Sequence, residues 1–229
     1  MNVNWERLWR SAGVQFVTLF IVAYVIYGNQ PKVGASADKL VSFYDGDRTR
    51  ILIATVISAL AILNLMWFAA ALTSVLRDAG QGGWGAAATA ASAALGTVFF
   101  VLLIVGAALA YSVAGSGNSA LTSGLNDLSW VCVVIASFPS AMLIMAGSFG
   151  LWRAGIISNA IFSAGVAAVV LVLLGGTTWA SHGFWAPDGA YLRFISPIIA
   201  LAWIAGISGL LVMRAPATAR APEHAAMSA

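Results

Sequence analysis

The densest cluster of ionisable side chains in this sequence is Asp45-Gly46-Asp47-Arg48-Thr49-Arg50. Two carboxylates this close suit a hard cation, which binds through oxygen ligands. Arg48 and Arg50 suit an anion instead, through charge-assisted hydrogen bonds. A third reading needs no ligand: the charges neutralise one another in a turn while the arginines anchor to lipid headgroups. Exposed ion pairs of that kind are common and individually weak, and the third reading is favoured.

Gly147-Ser148-Phe149-Gly150 resembles the surroundings of a nucleophilic serine. Such a serine needs a base within about 3 Å. The chain holds only His182 and His224, and His182 falls after the far end of the following apolar run, toward the opposite face of a bilayer. The favoured reading is therefore packing, with Gly147, Ser148 and Gly150 admitting a close neighbour.

Other polar groups lie inside apolar runs. Asn64, beside Trp67, either lines a cavity or bonds a neighbouring helix. Ser137, Pro139 and Ser140 predict a kink whose freed carbonyl is partly satisfied by hydroxyls. Gly155, Asn159, Ser163 and Ala167 recur at i, i+4, as do Ala88, Ser92 and Gly96. Both rows read as faces for close helix contact, with a polar conduit along Asn159 and Ser163 as the alternative. The paired Asn-Pro-Ala signature of water channels is absent from the sequence.

Several chemistries are excluded. Both lysines, Lys32 and Lys39, precede the second apolar run, so no span offers a retinal Schiff base. With His182 and His224 outside the runs, a bis-histidine haem or a histidine-rich diiron site is not available. Lone Cys132 rules out an internal disulfide and a CxxC pair. No cofactor or metal is expected.

The elements that position these residues follow from composition. Of 229 residues, 61% are apolar and 8% charged, whereas a soluble domain carries about 25% charged residues. Too little polar surface remains to cover a water-soluble globule, so lipid is the expected solvent. The formal charge of +3 comes from scattered residues, which argues against nucleic acid. Six apolar runs, at 11–27, 51–76, 85–111, 128–152, 154–177 and 195–213, have lengths suited to crossing hydrocarbon about 30 Å thick. All 11 basic and 8 acidic residues lie outside them, as the cost of a charge at mid-bilayer demands. That partition also argues against a coupled ion pump.

Trp5, Trp9, Tyr27, Tyr111, Trp130, Trp152, Trp179 and Tyr191 fall near the expected span ends, where amphipathic rings prefer the interface. Trp67 and Trp203 are exceptions. Arg7 and Arg10 before the first run, with Ala35-Ser36-Ala37 beyond it, resemble a signal peptide, but the small residues lie far past the apolar stretch and a retained span is expected. Placing both termini in the cytoplasm puts Arg7, Arg10, Arg77, Arg153, Arg214 and Arg220 inside, and Lys32, Lys39, Arg48, Arg50 and Arg193 outside, a small positive-inside bias.

Two connections have character. Residues 36–45 place Leu40, Phe43 and Tyr44 on one side of a short amphipathic helix with Ser36 as N-cap, lying on the outer membrane surface or capping the bundle. Residues 115–127 are uncharged until Asp127, expected to cap the fourth span. The His182, Phe184, Trp185, Pro187 and Asp188 loop reads as an interfacial anchor with His182 solvated, with a lid or a partner contact as the alternatives.

Phe43-Tyr44-Asp45-Gly46-Asp47-Arg48-Thr49-Arg50-Ile51, running on to Leu76-Arg77-Asp78, resembles a pattern in six-span actinobacterial membrane proteins: an aromatic pair, a short polar gap and Arg-x-Arg before a long second helix. The resemblance covers residues 37–78, implies six helices and brings no activity or catalytic residue with it. The sequence thus predicts an all-α polytopic bundle over 1–214, with a disordered tail at 215–229, in the bacterial plasma membrane. The expected role is an accessory or self-associating membrane subunit, contacting lipid and a protein partner or a second copy. A binding protein, channel or carrier for a small apolar molecule such as a lipid or quinone is the second reading. An enzyme built from Asp45, Asp47 and His182 on the outer loops is the third.

Overall fold

A computed structural model describes residues 5–214; the tail at 215–229 lies outside the described residues. Every regular element described is helical: α1 (Trp5–Arg10), α2 (Ala12–Tyr27), α3 (Ala37–Tyr44), α4 (Arg48–Asp78), α5 (Gly82–Ala108), α6 (Ser119–Arg153), α7 (Asn159–Gly175) and α8 (Ser196–Met213). A wider π turn, Leu109–Val113, and a 3-10 turn, Ala114–Ser116, prolong α5, and a second π turn, Tyr191–Ile195, leads into α8.

Short connections make consecutive helices neighbours. α2 packs on α4, α4 on α5, α5 on α6, α6 on α7 and α7 on α8, and α8 returns to α2, closing a ring. Leu65, Phe68, Leu72, Leu143 and Leu151 fill its middle and are at most 1% exposed. The outer surface is apolar too: Ile53, Val56, Leu60, Ile104, Val170 and Ile198 are exposed. A helix that is apolar all round belongs in a core or a bilayer.

Four helical stretches are long and apolar enough to cross a membrane: Arg48–Asp78, Gly82–Ser116, Ser119–Arg153 and Tyr191–Met213. Between 28% and 44% of their apolar windows is buried by protein, so most of that surface must meet another apolar medium. The chain has the build of an integral membrane protein. The expectation of six crossings is met by length in four; α2 and α7 are apolar but have 16 and 17 residues. α1 and α2 are nearly continuous, since Ser11 keeps right-handed helical backbone angles between them.

Two expectations change. α6 begins at Ser119 and takes in most of the stretch expected to be a loop, because Asn118 caps it: its Oδ1 accepts the Leu121 N–H at 3.1 Å. Asp127 therefore lies within the helix and caps nothing there. The short helix α3 forms where its pattern placed it, although the Ser36 side chain makes no capping hydrogen bond. Leu40 and Tyr44 are fully buried against Ile51, Leu109 and Ala110, so α3 caps the bundle.

Candidate functional site

The most developed polar arrangement lies at the bundle end that carries α3 and the 28–36 and 176–190 loops. Its centre is Asn126, 0% exposed on α6. The Tyr44 hydroxyl donates to Asn126 Oδ1 at 2.9 Å, and Asn126 Nδ2 donates to the Lys32 carbonyl at 3.2 Å. One turn on, the Ser129 hydroxyl donates to the Asn126 carbonyl and accepts from Gln30 Nε2. Trp130 Nε1 donates to the Pro31 carbonyl at 2.9 Å. Asp127 accepts the Gly34 N–H at 3.3 Å. Arg193, just before α8, donates to the Gln30 carbonyl at 2.8 Å, and its guanidinium lies 5.3 Å from the centre of the Trp130 ring.

The loop at residues 28–36 has no helix or ladder to pair its backbone groups, and buried carbonyls must find donors. Here α6 and Arg193 of the turn before α8 supply them. Burial, and after it the neighbouring Tyr27, pushes the Tyr44 phenol far above its ordinary value, so it remains a neutral donor.

Beside this network opens a cleft of about 600 Å³ lined by Lys32, Val33, Ser181, His182, Phe184, Asp188, Arg193 and Phe194. His182 Nδ1 lies 2.8 Å from the Ser181 hydroxyl. Tyr191 donates to the Leu171 carbonyl and Trp185 to the Thr177 carbonyl, which holds the loop onto the end of α7.

The residues singled out from sequence are dispersed. Asn64 donates to Leu60 O of its own helix at 2.9 Å, and Trp67 is 59% exposed; both are on the outward face of α4 and line no interior space. The Ser140 hydroxyl turns back to the Ala136 carbonyl at 2.7 Å. Ser137 is buried where α6 meets Gly175 and Ser196. α6 runs unbroken through Pro139.

Asn159 accepts from Trp152 Nε1 at 2.8 Å, closing an aromatic row in which Trp84 stacks on Phe149, Phe149 meets Phe162 edge to face, and Phe162 stacks on Trp152. Ser163 and Ala167 are exposed, so the expected contact face of α7 is not the one it uses. Gly165, Ala168, Val172 and Gly175 face inward instead. The Ala88, Ser92 and Gly96 row is buried, with Gly96 against Met66 and Ile62 of α4. The Ser92 hydroxyl is buried without a hydrogen-bond partner among the described residues.

Arg50 pairs with Asp47 at 2.6 Å and lies 5.6 Å from the Phe43 ring centre; Arg48 stands 4.7 Å over Tyr111. Ser148 accepts from Trp203 Nε1 at 3.0 Å and lies directly under Gly165, a packing contact between α6, α7 and α8. Among the described residues no group of three His, Cys, Asp or Glu side chains stands together, and Asp45 and Asp47 do not line the cleft with His182.

Sequence reasoning did not find Gln30, Asn126, Ser129, Lys32 or Arg193 as a group. Their signal was the recurrence of polar side chains at the same end of successive spans, 94 to 163 positions apart in the Lys32–Asn126 and Gln30–Arg193 contacts.

The fold and site define a helical membrane-type bundle with one hydrogen-bonded, loop-covered end and a tightly packed apolar middle. Comparison with protein-family models, curated proteins and solved structures gives no match for this chain.

Proposed function

We propose that this chain is a six-crossing accessory subunit of the bacterial plasma membrane, binding a protein partner or a second copy through outward small-residue helix faces. The observation that carries the reading is the outer face of α5, where Ala86, Thr89, Ala90, Ala93, Ala94 and Thr97 are all exposed. Lipid gives no reason to prefer alanine over leucine, whereas close helix approach does. The outward Asn159, Ser163 and Ala167 row of α7 is a second face of the same kind. The six-crossing part is supported by the closed ring, in which α2 and α7 stand between long helices. At about 1.5 Å per residue their 16 and 17 residues extend roughly 24–26 Å, near the lower limit for a span. The small positive-inside bias supports both termini being cytoplasmic.

Blue-native electrophoresis and native mass measurement of the full chain extracted in mild detergent test the association. A dimer or a defined complex is expected, and Ala90→Leu with Ala94→Leu should dissolve it while leaving the monomer folded. A monomer in both forms contradicts the proposal. The second reading, a carrier for a small apolar molecule, has less support, since Asn64 and Trp67 face outward and Ser137 is packed between helices.

A further inference from the structure

We propose that the cleft beside α8 is a binding site for the phosphate headgroup of an anionic membrane lipid. Lys32 and Arg193 line it with a single carboxylate, Asp188. Neither cation forms an ion pair among the described residues, where the pairs are Arg10–Glu6 and Arg50–Asp47. The cleft therefore carries unneutralised positive charge. Arg193 is fixed from two sides, by the Gln30 carbonyl and the Trp130 ring, yet a guanidinium has five N–H donors, and one is spent on Gln30. A planar donor set held in place and an exposed ammonium lining the same cleft are a fitting pair for phosphate oxygens.

The level of the cleft selects a lipid over a free ion. Phe184 and Phe194 line it and are 54% and 46% exposed. Trp179, 52% exposed, and Trp185 lie around the same end, and such rings mark the depth of lipid headgroups. Phe194 and Ile195, both exposed, lead into the outward face of α8, where Ile198 is exposed. A phosphate held between Lys32 and Arg193 would thus have its acyl chains led along α8. The Ser181 hydroxyl stands at the rim, 2.8 Å from His182 Nδ1.

The test uses the full chain in detergent, titrated with phosphatidylglycerol or phosphatidylcholine of identical acyl chains and read by native mass spectrometry. One saturable phosphatidylglycerol per chain is expected, with phosphatidylcholine binding weaker. Lys32→Gln removes an exposed side chain and leaves the fold intact; it should weaken phosphatidylglycerol about fivefold. Lys39→Gln, a control outside the cleft, should leave binding unchanged. Equal binding of the two lipids, or equal losses in the two variants, would overturn the proposal. Displacement of the lipid by an equal concentration of inorganic phosphate would assign the cleft to the free ion and overturn the lipid site.

Discussion

The two halves of the bundle are held by different physics. At the α3 end, side chains and loop carbonyls meet through directed hydrogen bonds centred on Asn126. Toward the other end, cohesion comes from close approach: Gly147 lies under the Trp203 indole, Gly150 against Leu76 and Trp84, and Gly165 against Ser148. The difference teaches where each device works. A loop brings unpaired backbone groups that need partners, whereas apolar helices in lipid gain most from contact made possible by small residues.

The steric half should break hardest. At Gly147 an added Cβ would stand 2.5 Å from the Trp203 ring and 3.2 Å from Leu72. Gly147→Leu is expected to destabilise the chain by about 3 kcal/mol or more, read as a loss of the tryptophan-monitored thermal transition in detergent.

In the polar half, Asn126→Ala leaves the Tyr44 hydroxyl and the Lys32 carbonyl without these partners. A cost of about 2–3 kcal/mol is expected, with faster amide exchange confined to residues 28–44.

Tyr44 sharpens the contrast through pH. Its folded value is raised above the unfolded one, so its contribution to stability is complete below about pH 10 and is lost as pH rises further. Stability should fall by up to about 1.4 kcal/mol per pH unit there, and Tyr44→Phe should flatten that fall. An unchanged slope in the variant would remove Tyr44 from the account.

The smallest effect belongs to Asn64. Its amide is tied to its own helix, so Asn64→Leu should shift thermal stability by less than about 0.5 kcal/mol. A larger loss would mean that Asn64 has a partner in the assembled membrane.

The fold was legible where energy penalties are large. Confinement of Arg77, Arg153 and Arg214 to span edges placed those helix ends within a few residues, and the spacing of Leu40 and Tyr44 located α3. The inward face of α7 was not legible: with apolar or small residues on every side, no contrast marks which side turns in, and Gly165 and Gly175 look no different in sequence from Gly155, which ends a turn at φ 67°. The start of α6 was misjudged because its first turns are polar, although Asn118 was a readable cap. The polar network was hidden for another reason. Gln30, Asn126 and Arg193 are unremarkable singly, and only the closure of the ring brings them together.

Six crossings require that α2 and α7 span the membrane with the four long helices. Single cysteines at Lys32, Gln81, Ala154 and His182, in a Cys132→Ser background, can be labelled in intact cells with an impermeant maleimide. With six crossings, positions 32 and 182 react from outside, while 81 and 154 react only after the membrane is opened. Labelling of 154 and 182 from the same side would contradict that count.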